Sequence, residues 1–202
     1  LDLHQTLSNC PCKMNKLFLP LLFALVAQVT TFSAFAQEMK GDAKQGQAKN
    51  SMCIGCHGIV GYQASFPEIH KVPMISGQGG KYIASALNAY KKGERKHPSM
   101  RGIAETLTDQ DIADLAAYYE ASGAGVGAAP AKAASGSAKA EALLAKGGCV
   151  ACHGDNYNKP VDPSYPKIAG QHSDYLFVAL KSYKAENSAI VGRGNAIMGG
   201  MV

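Results

Sequence analysis

The sequence predicts an all-α chain built from two tandem domains. One set of motifs occurs twice, and apolar residues recur at helical spacing with no alternating strand pattern between them. A length of 202 residues allows either one large domain or two small ones. Each copy is small for a self-supporting hydrophobic core, so we expect a covalent staple or a cofactor in each domain.

The N-terminal residues predict an export signal. Lys13 and Lys16 precede an apolar run, residues 17–27, and small side chains follow as far as Ala36. Positive charge, a short apolar core and small residues at its end are typical of a secretory signal, here cleaved after Ala36. Because the run is short and contains a proline, an uncleaved membrane anchor is the weaker alternative. We assign residues 14–36 to the signal peptide.

Translation is better started at Met14 than at Leu1, so residues 1–13 are assigned to an upstream or non-native segment. Cys10 and Cys12 would then be absent from the mature protein, although a Cys-x-Cys pair can also bind a metal or cross-link. Four of the six cysteines remain in the exported chain, which we expect in the periplasm.

The exported part contains an internal duplication. A Cys-x-x-Cys-His-Gly motif at residues 53–58 recurs at residues 149–154, and a Pro-x-Ile-[Ser/Ala]-Gly-Gln motif at residues 73–78 recurs at residues 166–171. Small residues rich in Gly and Pro separate the copies and predict a flexible linker. The predicted parts are a first domain at 37–122, a linker at 123–137 and a second domain at 138–202.

Caps and periodicity place the helices of the first domain. Asp42 is positioned to N-cap a helix that runs to Cys53. Residues 81–91 carry apolar side chains at helical spacing between glycines. Thr108, followed by two aspartates, predicts a capped helix whose acidic first turn matches the helix dipole.

A histidine follows the second cysteine in both copies, which favours haem attachment. Two cysteines at this spacing form thioether bonds to the vinyl groups of one haem, and the histidine becomes the proximal iron ligand. Zinc binding and a redox disulfide are the alternatives, and the second lacks the βαβ pattern it needs. Two covalently bound haem c groups are the predicted cofactors. Their predicted ligands are Cys53, Cys56 and His57, and Cys149, Cys152 and His153.

The sixth ligand decides the chemistry, because an iron held by His and Met is closed to small molecules. Met100 follows His57 by 43 residues in a His-Pro-Ser-Met segment, and we predict a loop that brings its thioether to the iron. In the second domain Met198 matches Met100 and is the preferred ligand, with Met201 as second choice. Core packing is the ordinary alternative for a methionine.

Nearby residues compete for these roles or support them. His70, His97 and His172 are assigned to the surface or to loops, and His97 is close enough to Met100 to be a competing ligand. The carbonyl group of Pro73 or Pro166 can accept the Nδ1 proton of a proximal histidine and thereby fix its tautomer.

Two further sets of side chains each have two interpretations. The first set either binds haem propionates or packs helices together: Gln78, Gln171, Tyr82 and Tyr175. The second either docks a redox partner or forms a solvated helix end: Lys91, Lys92, Arg95 and Lys96.

These motifs together resemble those of the dihaem class I cytochromes c of the cytochrome c4 type. The resemblance covers nearly all of residues 37–202 and includes the Leu-Thr-Asp-x-Asp-Ile-Ala-Asp-Leu-Ala-Ala-Tyr-Tyr stretch after the first axial methionine. It implies two cytochrome c domains about a pseudo-twofold axis, with haem propionates facing each other. It also implies an electron carrier, not an enzyme, that passes electrons from a quinol-oxidising bc complex to a terminal oxidase or reductase.

Other functions fit the sequence less well. A cytochrome subunit of a periplasmic dehydrogenase complex would use the same residues, whereas a haem peroxidase needs an iron with an exchangeable face. A net charge of +5 with no basic block argues against nucleic-acid binding. Only one apolar stretch exists, so membrane contact is expected only through partner complexes.

The second domain is shorter than the first. A helix is predicted after Met100, whereas the sequence stops at Val202, four residues after Met198. We therefore expect the second domain to be incomplete as given, and the gene to continue for about twenty residues with one amphipathic helix.

Overall fold

A computed structural model describes residues 39–123, 136–185 and 187–202. The predicted upstream segment at 1–13, the signal peptide at 14–36 and most of the linker lie outside the described residues. The described part is mainly helical, in agreement with the predicted fold class.

The helices and strands follow the duplication. The first domain has α1 (Ala43–Lys49), α2 (Ser51–His57), β1 (Gln63–Ala64), β2 (His70–Lys71), α3 (Gly80–Lys92), β3 (Arg95–Lys96), α4 (Pro98–Glu105) and α5 (Asp109–Ala121). The second has α6 (Ala138–Lys146), α7 (Val150–His153), α8 (Ser173–Tyr183), β4 (Gly192–Arg193) and α9 (Ala196–Met201).

The predicted helix caps are present. The Asp42 carboxylate accepts two backbone N–H groups at the start of α1. Asn50 is both the C-cap of α1 and the N-cap of α2, so the single helix predicted up to Cys53 is in fact two helices. Thr108 and Asp111 form a reciprocal capping box at α5. Gly93 ends α3 with φ 77°, a conformation that favours glycine.

Helix α5 packs on α1 and α3 and completes the core of the first domain. The buried cluster contains Ile83 from α3 with Leu115, Ala116 and Tyr119 from α5, and Cys53 packs against it. At the crossing of α1 and α5 the backbones are so close that a Cβ on Gly46 would lie 2.1 Å from the carbonyl oxygen of Asp114. The first cysteine of the haem motif is therefore fixed against the main core.

A buried carboxylate also connects α1 to α5. Asp114 accepts the Asp42 N–H at 2.9 Å and pairs with the Lys49 ammonium at 2.8 Å, while Gln110 donates to it at 2.8 Å. The hydrogen bond from Lys49 is the main reason that the pKa of Asp114 lies below its ordinary value. Because the buried charge is fully hydrogen-bonded, it orients the two helices.

Four strands of two residues were not predicted. Strands β1 and β2 form an antiparallel hairpin, whereas β3 and β4 pair across the two domains and place Arg95 opposite Arg193. Strands this short leave no alternating pattern in the sequence. The all-α class stands, but the domains are joined by a β-ribbon.

The second domain leaves apolar side chains exposed on α8. Phe177 and Leu180 correspond to Ala84 and Leu87, which are partly buried against the core of the first domain. Their exposed fractions are 59% and 45%, and the described residues contain no counterpart of α5 in the second domain.

We expect Gly46→Ala to destabilise the first domain by about 2 kcal/mol, because the added methyl group must push α1 away from α5. Gly55→Ala is the matched control. A Cβ there meets nothing within 4 Å, and the second copy already has Ala151 at that place, so we expect a change within about 0.5 kcal/mol. Chemical denaturation of the haem-loaded protein measures both, and equal stabilities would contradict the close helix crossing.

Candidate haem sites

Both Cys-x-x-Cys-His motifs lie on short helices. Cys53, Cys56 and His57 form the end of α2, and α7 ends at His153. Residues three apart on a helix share one face, so each pair of thiols can reach one planar group. None of the four cysteines in the described ranges forms a disulfide. The described ranges contain no group of three or more His, Cys, Asp or Glu side chains placed to hold a metal ion.

The histidine of each Cys-x-x-Cys-His motif is oriented by a proline carbonyl. His57 Nδ1 lies 2.8 Å from the Pro73 oxygen, and His153 Nδ1 lies 2.9 Å from the Pro166 oxygen. With the proton on Nδ1 and donated to the carbonyl, Nε2 is left as the lone-pair donor for iron. Burial is the main reason that the pKa of His57 is lowered, so the imidazole is neutral at neutral pH. Both predicted contacts between a proline carbonyl and a histidine Nδ1 are present.

The two methionines occupy matching positions, but in helices instead of the predicted loop. Pro98 begins α4, where its fixed φ suits a helix start. The N–H of Met100 is capped by His97 Nδ1 at 3.4 Å, and the N–H of Met198 by Asn195 Oδ1 at 2.9 Å. Each methionine is thus the third residue after its cap. This match favours Met198 over the half-exposed Met201, which ends α9.

The histidine assignments were partly wrong. His97 is a half-buried helix cap with a counterpart, Asn195, in the second domain. His70 is 5% exposed and lies in the hairpin with its ring near Tyr175, so it is not a surface residue. Neither position is evident from the sequence, because each depends on contacts with distant segments. A polar residue three positions before each methionine is the one signal that could have identified the caps.

Two glutamines join the domains through a symmetrical pair of contacts. The Gln78 amide accepts the Lys167 N–H at 2.8 Å and donates to the Lys167 carbonyl at 2.9 Å. The Gln171 amide does the same with Met74, at 3.0 and 2.9 Å. The repeat relates both glutamines and both partners, as the predicted pseudo-twofold axis requires. These amides bind backbone across the interface, so the structure does not support their proposed role as propionate ligands.

Two arginines and two tyrosines form a second interface contact, here called the interface arginine cluster. Arg95 donates to the Tyr82 hydroxyl at 3.2 Å and to the Tyr175 hydroxyl at 2.9 Å, and Arg193 donates to Tyr175 at 3.1 Å. Burial alone would raise the pKa of Tyr175, but Arg193 and Arg95 together lower it to about 8. The cluster therefore concentrates positive charge between the domains.

The interface arginine cluster has a hydrogen-bond donor that an anion could accept from. The Nε of Arg95 is buried without a hydrogen-bond partner, and no carboxylate in the described part of the chain pairs with Arg95 or Arg193. Both guanidinium groups are partly buried, and charges withdrawn from water favour an anionic partner. Haem propionates are such partners, so these residues fit the cofactor that the cysteine motifs imply.

The cationic residues at the end of α3 and just after it are largely engaged within the protein. Lys91 donates to the Leu107 carbonyl at 2.6 Å, and Lys96 to the Ser188 carbonyl across the interface at 2.6 Å. Since Arg95 belongs to the interface arginine cluster, a partner-docking patch made from all four residues is not supported.

Paired thioether motifs, carbonyl-oriented histidines and matching capped methionines define a dihaem protein with covalently attached cofactors. The profile named cytochrome c matches residues 43–121 and 137–202, and the chain belongs to this family. It is 33% identical over 178 residues to cytochrome c4 of Pseudomonas aeruginosa, covering 85% of this chain and 82% of that protein.

Two further similarities are informative. The structure of reduced recombinant cytochrome c4 from Pseudomonas stutzeri matches with a TM-score of 0.56 and 29% identity, over 80% of this chain and 89% of that one. The thiosulfate dehydrogenase electron acceptor of Thiomonas intermedia is 28% identical over 142 residues, covering 65% of this chain and 62% of its own.

The protein is thus a dihaem electron-transfer cytochrome of the cytochrome c4 type, and an electron carrier rather than an enzyme. It carries two covalently bound haem c groups, and its two Cys-x-x-Cys-His motifs supply the attachment pairs. Among the described residues, none of the helices is long and apolar enough to cross a bilayer.

Replacing both Cys53 and Cys56 with alanine should remove one covalent haem and leave the other, since each motif serves its own domain. The mass of the purified chain should fall by one haem relative to wild type. The matched variant at Cys149 and Cys152 should show the same loss. Retention of two covalent haems in either variant would contradict the assignment.

Proposed function

We propose that the protein is a periplasmic electron carrier in which His57 and Met100 bind the iron of the first haem, and His153 and Met198 that of the second. The observation that carries this proposal is the matching geometry of the two domains: a histidine fixed by a proline carbonyl and a methionine three residues after a helix cap. Each haem supplies a one-electron Fe(II)/Fe(III) couple when it is bound.

The residues around each iron serve to keep its ligands in place. The carbonyl of Pro73 or Pro166 holds the proximal imidazole in one tautomer and one orientation. The N-cap holds the backbone N–H of the methionine. Because both ligands are positioned before any change of oxidation state, little reorganisation is required, as an electron carrier needs.

The interface arginine cluster supports two cofactors whose acidic edges meet between the domains. Arg95 and Arg193 lie directly opposite each other in the β-ribbon, which is unfavourable for two cations without an anion between them. The propionates would supply that charge. The two cofactors would then share one group of counter-charges, which suits transfer of an electron from one domain to the other.

For the physiological partners we propose a quinol-oxidising bc complex as donor and a terminal oxidase or reductase as acceptor, by similarity to the cytochrome c4 type. The predicted export signal at 14–36 supports the periplasm as the site of this exchange. The test is reduction of the oxidised protein by quinol in membranes that contain the complex, with a specific inhibitor of the complex as control. Reduction that the inhibitor does not affect would exclude this donor.

The alternative is a cytochrome subunit that accepts electrons from a periplasmic dehydrogenase. The similarity to the thiosulfate dehydrogenase electron acceptor of Thiomonas intermedia favours this candidate. Purification from the native membrane and periplasm distinguishes the two: a stable complex with a dehydrogenase that reduces the cytochrome from its own substrate supports the alternative. A haem peroxidase is disfavoured, because methionine ligation closes both irons.

Replacing Met100 or Met198 with alanine should each abolish the ferric methionine–iron charge-transfer absorption of one haem. Loss of the thioether should lower the potential of that haem by more than about 59 mV, a tenfold change in the one-electron equilibrium. Met201→Ala is the matched control in the same helix and should change neither property. Loss of the band in the Met201 variant instead of the Met198 variant would exchange the two assignments.

A further inference from the structure

The first domain contains a hairpin that has no counterpart among the described residues of the second domain. Strands β1 and β2 enclose residues 63–71, which lie between the Cys-x-x-Cys-His motif and Pro73. The displacement between the two copies falls from 96 to 93 across this stretch, so the first copy has three residues more than the second. The hairpin is therefore an asymmetric addition to a symmetrical pair of domains.

One side of the hairpin rests on α8 of the second domain. The Lys71 N–H donates to the Asp174 carboxylate at 3.1 Å, and Glu68 pairs with Lys181 at 2.8 Å. The buried ring of His70 lies 6.2 Å from the ring of Tyr175. The ion pair is exposed and contributes little by itself. The hydrogen bond from the Lys71 N–H and the packing of the buried His70 ring fix the position of the hairpin on α8.

The other side of the hairpin contacts the cap of the methionine helix. The Phe66 ring meets the His97 ring edge to face, with centroids 5.5 Å apart and an interplanar angle of 81°. His97 Nδ1 in turn accepts the N–H of Met100 at 3.4 Å, a longer contact than the 2.9 Å bond made by Asn195 in the second domain. Because the bond from the Met100 N–H to His97 Nδ1 is long, it depends on the position of the His97 ring. The contact with Phe66 holds that ring in place.

We infer that His97 is a positioning residue for Met100, and that the hairpin, seated on α8, holds the His97 ring in place. This inference rests on the proposed ligation by Met100. Both caps follow the β-ribbon that pairs the two domains, but only in the first domain does the hairpin add a second route from the other domain to the methionine. The two otherwise matching sites would then differ in how strongly each methionine holds its iron.

The test measures how readily imidazole displaces each methionine in the intact dihaem protein. The axial-methionine methyl resonances of the reduced protein identify the two haems, and imidazole titration of the oxidised protein gives an apparent affinity for each. His97→Ala should increase the affinity at the first haem about fivefold, the typical effect of losing an N-cap. His97→Asn, which installs the cap found at Asn195, should stay within about twofold of wild type.

Asn195→Ala is the matched control and should increase imidazole affinity only at the second haem. Equal affinities at the first haem in wild type and the His97→Ala variant would overturn the positioning role. If the wild-type protein shows only one axial-methionine resonance, the proposed ligation itself fails. The two failures are therefore distinguishable.

The role of the hairpin is tested from each side. Phe66→Leu keeps an apolar side chain but removes the ring contact with His97. Asp174→Ala removes the hydrogen bond that holds Lys71 of the hairpin against α8. Both should increase imidazole affinity at the first haem by about twofold and leave the second haem unchanged. An unchanged first haem in both variants, or an equal change at both haems, would contradict transmission through the hairpin.

Discussion

The hydrogen bond between the proximal histidine and a proline carbonyl is the interaction on which the rest of the structure depends. In each domain this proline begins a six-residue segment, residues 73–78 or 166–171, whose last residue is an interface glutamine. The residue after each proline, Met74 or Lys167, presents its backbone to the glutamine of the other domain. One short segment therefore orients the proposed iron ligand and joins the domains, so the orientation of each histidine is connected to the interface.

Electrostatics explain why the two domains meet as they do. The β-ribbon brings Arg95 and Arg193 together at the centre of the interface, with Tyr175 hydrogen-bonded to both. Two opposed cations repel, and the buried Nε of Arg95 lacks a partner, so the protein alone does not balance this site. The propionates of two haems would provide the missing charge. We therefore expect the interface to be most stable when both domains carry their haems.

The repeat is symmetrical near the irons and asymmetrical away from them. Histidine, carbonyl, cap and methionine correspond in the two domains, because every electron-transfer site needs two well-held ligands. The hairpin occurs only in the first domain, and the cap is His97 there and Asn195 in the second. Such differences would leave the proposed ligand set unchanged while altering how firmly each methionine is held. A duplicated protein can distinguish its two sites in this way.

Sequence alone determined the features whose cause is local. Cysteine spacing and the adjacent histidine specify haem attachment within five residues, and the caps at Asp42 and Thr108 depend on neighbours within one turn. The helix that carries Met100 was missed although Pro98 suits a helix start, because a Pro-containing segment is equally compatible with a loop.

Tertiary structure decided the partners of residues that have several possible roles. From the sequence, Gln78 and Gln171 could bind propionates or pack helices, and Arg95 could dock a partner or end a solvated helix. Their partners in the other domain lie 80 to 97 positions away along the chain. The same holds for His70 in its hairpin and for strands of two residues, which form only when another segment is present to pair. The residue type determines which hydrogen bonds a side chain can make. The tertiary structure determines which of them it does make, because it decides which partners lie within hydrogen-bonding distance.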